Sequence, residues 1–180
     1  MEANDEINEL VGDIWGSVLG IPATPSEPSI RVDELRLTGF VHIQGDWEGT
    51  VTVDCPLPLA TEAAAAMFGT AVAELSKEAI DDALGEITNM TGGGIKSMLA
   101  GSCKLSLPTV IEGKGFTVNV PGAAMVTDLT YSAGGSWMSV RVLERLDDTD
   151  PSSVAEQILR AGAGRPGLDP PEDGASEMKM

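Results

Sequence analysis

The hydrophobic period of this chain changes from two to 3.6 and back to two, and that order constrains the fold more than any single motif. Leu37, Gly39, Val41 and Ile43 alternate with Arg36, Thr38, Phe40 and His42. Trp47, Gly49, Val51 and Val53 then alternate with Glu48, Thr50, Thr52 and Asp54. Alternation of this kind puts one set of side chains on each face of a strand. "QGDW" between the two runs suits a two-residue hairpin turn, with Gly45 supplying the positive φ of a type II′ turn. Period two returns after residue 102 in "CKLSLP", "GFTVNV", "MVTDLTY" and "WMSVRVL", the last two joined as a hairpin by "SAGG". The predicted architecture is α+β, an antiparallel-rich sheet of about six strands with three helices packed on its apolar face.

The helices are read from the 3.6 spacing. Residues 4–19 place Ile7, Leu10, Val11, Ile14, Trp15 and Val18 on one face. "GIPATPSEPS" follows with three prolines and cannot continue a helix. "PLPLATEAAAAMFG" predicts a short alanine-rich helix stopped by Gly69, and residues 77–99 a longer one. The predicted organisation is one domain over residues 1–146, with an N-terminal helix in 1–20 and a proline-rich connector in 21–34. A mobile acidic tail is predicted over 147–180, where Asp, Pro, Gly and Ser leave too little apolar surface to offset chain entropy.

Charge narrows the partners. A formal net charge of −17 repels a phosphate backbone and an anionic membrane surface, so nucleic acid is not expected as a partner. The first twenty residues carry five acidic residues and no Lys or Arg, the opposite of a secretory signal. No apolar run reaches the roughly 20 residues of a membrane span. A soluble, cytoplasmic chain is expected, and Cys55 and Cys103 are expected as two free buried thiols.

The long helix holds the candidate site. Its segment "DALGEITNMTGGGIKSML" sets three consecutive glycines where another helical turn should run, and each glycine costs about 1 kcal/mol against alanine there. At 100° per residue Ile80, Leu84, Ile87, Thr91, Ile95 and Met98 form the buried stripe, and Asp82, Glu86, Asn89, Gly93 and Lys96 the opposite side. Glu86 and Asn89 project together beside backbone left bare by glycine, a low surface that another protein can approach closely. A glycine run also permits tight packing of the helix on its neighbours, and geometry by itself leaves both readings open. "TGGGIKS" is not a phosphate-binding loop, since the glycine spacing fails and the context is mid-helix. His42, the sole histidine, has no evident acid–base partner.

"GEITNMTGGGIKSML" followed by "LSLPTVIEG" resembles the signature of the CheC and CheX family of bacterial chemotaxis phosphatases: Glu-x-x-Asn, a glycine stretch, a Lys, then a strand ending Leu-Pro. CheC types carry two such helices. Here the preceding helix offers Glu62 but has Ala65 where the Asn would fall, so the resemblance is to the CheX type with a single site.

The resemblance implies hydrolysis of the aspartyl phosphate of a CheY-type response regulator. It assigns Asn89 to orienting the attacking water and Glu86 to pairing with a regulator lysine; the shared helix face and the bare glycine backbone add Asp82, Gly92, Gly93 and Lys96 as docking residues. It implies no metal or cofactor of the chain's own, the Mg²⁺ being the regulator's, and it implies a homodimer. The alternative is a non-catalytic module that uses the same helix face to dock or sequester a response regulator or a flagellar switch protein.

Overall fold

The computed structural model describes residues 2–27 and 33–146; the expected tail, residues 147–180, and residues 28–32 of the expected connector lie outside the described residues. Residues up to Leu146 form one compact unit. Helix α1 (Glu2–Gly12) runs into a π-helical turn, Asp13–Val18, in which the Leu19 N–H donates to the Ile14 carbonyl at 3.2 Å. The wider turn corrects the predicted face: Ile14 and Trp15 stay buried, but Val18 is 58% exposed and Leu19 takes its place in the core.

Seven strands make one antiparallel sheet. They are β1 (Ala23–Pro25), β2 (Arg36–Gly45), β3 (Gly49–Pro56), β4 (Cys103–Leu105), β5 (Thr109–Gly113), β6 (Ala123–Ala133) and β7 (Ser136–Arg145), in the order β1-β6-β7-β3-β2-β4, with β5 also on β2. Helices α2 (Leu57–Phe68) and α3 (Lys77–Met98) connect β3 to β4, separated by a short 3₁₀ turn at Val72–Glu74. Gly69 ends α2 in the left-handed conformation with φ 62°, as expected. Ser76 caps α3, its hydroxyl accepting from the Ala79 N–H at 3.1 Å.

Three local expectations are corrected. The β2–β3 connection is longer than a two-residue turn, because the register closes at Ile43↔Gly49; Gly45 has φ 140° and pairs with Cys103 of β4. The β6–β7 turn is the tight one, Gly134 and Gly135 both having positive φ between the paired Ala133 and Ser136. "GFTVNV" forms no strand; "TVIEG" just before it does, and β1 lies inside the expected connector.

The register puts Leu37, Gly39, Val41 and Ile43 of β2 on the same face as Val51, Val53 and Cys55 of β3 and Val140 and Val142 of β7. The helices cover this face, and Trp15, Leu59, Leu84, Ile87 and Tyr131 complete the core. Each large apolar side chain so buried contributes roughly 1.5–3 kcal/mol. Cys55 is buried and Cys103 half-buried, both as free thiols. The other face is polar yet buried at its centre: Thr38, Asp54 and Ser139 are fully enclosed, and Arg36 bonds Asp54 at 2.9 Å. The Arg36 guanidinium also donates to the Phe116 carbonyl and lies 4.4 Å from the centre of the Phe116 ring. The non-strand segment after Gly113 is thereby tied to this face.

Candidate functional site

Helix α3 sits directly on β2 because small residues meet there. A Cβ on Gly39 would come within 2.0 Å of Thr88 Oγ1, and one on Gly92 within 2.4 Å of Val41 Cγ2. Thr88 and Thr91 turn their hydroxyls back to the Leu84 and Ile87 carbonyls, at 2.7 and 2.8 Å, so neither is left unpaired in the core. Ala83, Leu84, Ile87 and Ile95 fill the remaining contact with the sheet and with α2.

The three consecutive glycines of α3 have three different surroundings. Successive residues of a helix point about 100° apart. Gly92 faces Val41 and Leu105, Gly94 faces Leu10 of α1, and Gly93 faces open space. The expectation of a bare glycine surface therefore holds at Gly93, and Gly92 is corrected: it is buried against the sheet. Met98 is corrected in the other sense, being 41% exposed at the end of the helix.

Asp82, Glu86, Asn89, Gly93 and Lys96 follow one another at steps of three and four along the outward side of α3. Asp82 and Glu86 are exposed, and Asn89, Gly93 and Lys96 half-buried. Neither Glu86 nor Asn89 makes a side-chain hydrogen bond or ion pair among the described residues, whereas the nearby Asp81 is held by Lys77 at 2.9 Å. The Lys77 ammonium is pushed above its usual pKa, chiefly by that hydrogen bond, with Glu112 adding to it. Glu86 and Asn89 thus stand side by side with their polar groups uncommitted.

One wall of this site was absent from the expectations. Asp81, Asp82, Gly85 and Glu86 line a cleft with Pro108 and Val110, residues of the edge segment beside α3. The Leu-Pro pair in "LSLPTV" was the available signal, because proline cannot donate to a ladder and marks an interruption in a strand. Among the described residues no group of three or more His, Cys, Asp or Glu side chains could hold a metal ion, and no helix is long and apolar enough to cross a membrane.

The family described as chemotaxis phosphatase CheX matches residues 37–130, from β2 into β6 and across the whole of α3. The chain belongs to the CheX family. Its fold is that of solved CheX and CheC-like proteins. The chemotaxis protein CheX of Vibrio vulnificus superposes with a TM-score of 0.66 at 22% identity, over 81% of this chain and 97% of that one. CheX of a Desulfovibrio desulfuricans subspecies gives 0.66 at 20%, over 81% and 100%. The CheX–CheY–BeF₃–Mg²⁺ complex of Borrelia burgdorferi gives 0.63 at 18%, over 79% and 97%. No curated protein matches the chain by sequence.

Proposed function

We propose that this CheX-family chain hydrolyses the aspartyl phosphate of a CheY-type response regulator, with Asn89 orienting the attacking water and Glu86 docking a cation of the regulator. The observation that carries this reading is the pair itself: two polar side chains one helical turn apart, projecting from a helix whose opposite side is locked to the sheet, and bonded to nothing else in the described chain. A solved complex of a CheX with CheY supports the class of partner, being a structure of the same fold.

The chemistry needs little more from this chain. The oxygen of a water attacks phosphorus in line, the bond from phosphorus to the aspartyl oxygen breaks, and inorganic phosphate and a free aspartate leave. An acyl phosphate is already a good leaving group, so rate is gained by placing the nucleophile and neutralising charge. The Asn89 amide can hold a water through its carbonyl without titrating. The divalent ion belongs to the regulator in this reading. Burial of the opposite side of α3 fixes the Asn89 backbone, which matters because a misplacement of about 1 Å can cost about a hundredfold in rate.

The experiment follows phosphate loss from a labelled CheY-type regulator with Mg²⁺, with and without the protein, and repeats it with Asn89→Ala. Acceleration is expected from the unchanged protein, with about a hundredfold loss in the variant at unchanged affinity. Binding without acceleration would sink the catalytic assignment in favour of the docking module. The resemblance also implies a homodimer. The edge of β6 supports it, for among the described residues β1 and Ser26 cover that edge from Thr130 to Ala133, and Met125 and Val126 are exposed.

A further inference from the structure

We propose that Leu107 is the apolar anchor of the surface on which the regulator docks, beside Asn89; the inference rests on the phosphatase or docking reading above and deepens it. β4 and β5 pair with the same strand, β2, at Ile43–Gly45 and at Arg36–Phe40. Ser106, Leu107 and Pro108 span the gap between them. The gap is closed by one side chain: Ser106 Oγ accepts from the His42 N–H at 2.9 Å and donates to the Leu107 carbonyl at 2.9 Å, while the Ser106 N–H donates to the His42 carbonyl at 2.9 Å. Pro108 fixes the backbone on the other side of Leu107. Between these two anchors Leu107 is 88% exposed.

A lone exposed leucine is ordinary. This one differs in its support and its position. Its backbone is held before any partner arrives, so a partner that covers it spends little ordering entropy on the turn. Its position follows from the helix above it. A Cβ on Gly85 would lie 3.5 Å from Pro108, and one on Gly92 3.3 Å from Leu105. Asn89 is one turn from each, which places it level with Ser106 and Leu107. Pro108 and Val110 line the cleft that holds Asp82 and Glu86, and Leu107 stands exposed at its rim, one residue before Pro108.

The charge of that cleft selects the occupant. Asp81 is neutralised by Lys77, but Asp82 and Glu86 have no cation among the described residues. The surface that fits is one with a cation set beside an apolar hollow, and in the reading above it is the face of the regulator around its phosphorylated aspartate. Leu107 enters the hollow while Glu86 takes the cation.

The test measures affinity for a beryllofluoride-activated CheY-type regulator, and KM and kcat for its phosphorylated form, with Leu107→Asp, Leu107→Met and Asn89→Ala. Leu107→Asp is expected to weaken binding and raise KM at least tenfold, with kcat at saturation within about twofold of the unchanged protein. Leu107→Met should restore both, and melting curves of the two Leu107 variants should coincide with that of the unchanged protein because Leu107 is on the surface. If Leu107→Asp keeps affinity and KM within twofold while the unchanged protein is active, the anchor is wrong and the phosphatase reading stands. If the protein binds but turns nothing over, the affinities alone decide on Leu107. If it neither binds nor dephosphorylates any regulator tested, both readings fall together.

Discussion

At the scale of single residues, two adjacent glycines in α3 should behave oppositely. Gly92 lies so close to β2 that even a methyl group would overlap Val41. Gly92→Ala gains up to about 1 kcal/mol of helix propensity but is opposed by overpacking of about 1–3 kcal/mol, so a net loss of stability is expected. Gly93 meets nothing within 4 Å, and Gly93→Ala should stabilise the fold by up to about 1 kcal/mol. Gly93→Leu should fold as well yet lose regulator turnover, because the added side chain stands on the approach to Asn89. Denaturant midpoints and turnover of the three variants check the pair. Unimpaired turnover by Gly93→Leu would mean that the partner does not approach over this glycine. The sequence made Glu86, Asn89 and Gly93 legible, since one-face spacing depends only on the helical period. It could not separate Gly92 from Gly93, because the approach of Val41 comes from a strand some fifty residues earlier.

At the scale of elements, the polar face of the sheet is organised around one buried ion pair. Asp54 accepts from Arg36 at 2.9 Å and from Thr38 at 3.0 Å. Burial nevertheless pushes its carboxyl up from the ordinary value of 3.8, outweighing the lowering by Arg36 and by the Thr38 hydroxyl. The folded chain thus holds this proton at a higher pH than the unfolded chain does. The stability linked to it is present below the unfolded value and is lost as pH rises through the folded one. Compared with Asp54→Asn, which cannot titrate, the unchanged protein should gain relative stability as pH is lowered from 7 towards 4. Denaturant unfolding at both pH values reads the difference, and a shift of opposite sign would mean that Arg36 outweighs burial. Arg36→Met should cost about 3 kcal/mol or more, leaving a buried carboxylate without its cation. The same region explains a misread strand. In "GFTVNV", Phe116, Val118 and Val120 are half-buried while Thr117 and Asn119 are exposed. That is strand-like alternation, but the segment makes no ladder: Phe116 lies on Arg36, and Val120 shares a cleft with His42 and Thr50. β5 already occupies the neighbouring edge of β2. Alternation reports which side faces the protein, not whether a ladder partner exists.

At the scale of the whole molecule, the compact unit up to Leu146 contains every strand and helix described, together with Glu86, Asn89 and Leu107. Residues 147–180 carry eight of the 28 acidic residues and three of the 11 basic ones. Their removal lowers the net negative charge by five from −17, and with it the long-range repulsion towards an anionic partner. A chain ending at Leu146 is expected to melt in one cooperative transition within a few degrees of the full chain and to keep kcat within about twofold. Any change in regulator association should fade as salt is raised, because screening shortens the reach of the lost charges to about 10 Å at 0.1 M. Sedimentation of the same two chains reads the proposed homodimer. If β6 forms the interface, the shorter chain keeps the mass of the longer one's assembly less two copies of the removed segment. A large fall in melting temperature on truncation would place residues 147–180 within the folding unit, and a monomer at all concentrations would remove the β6 interface.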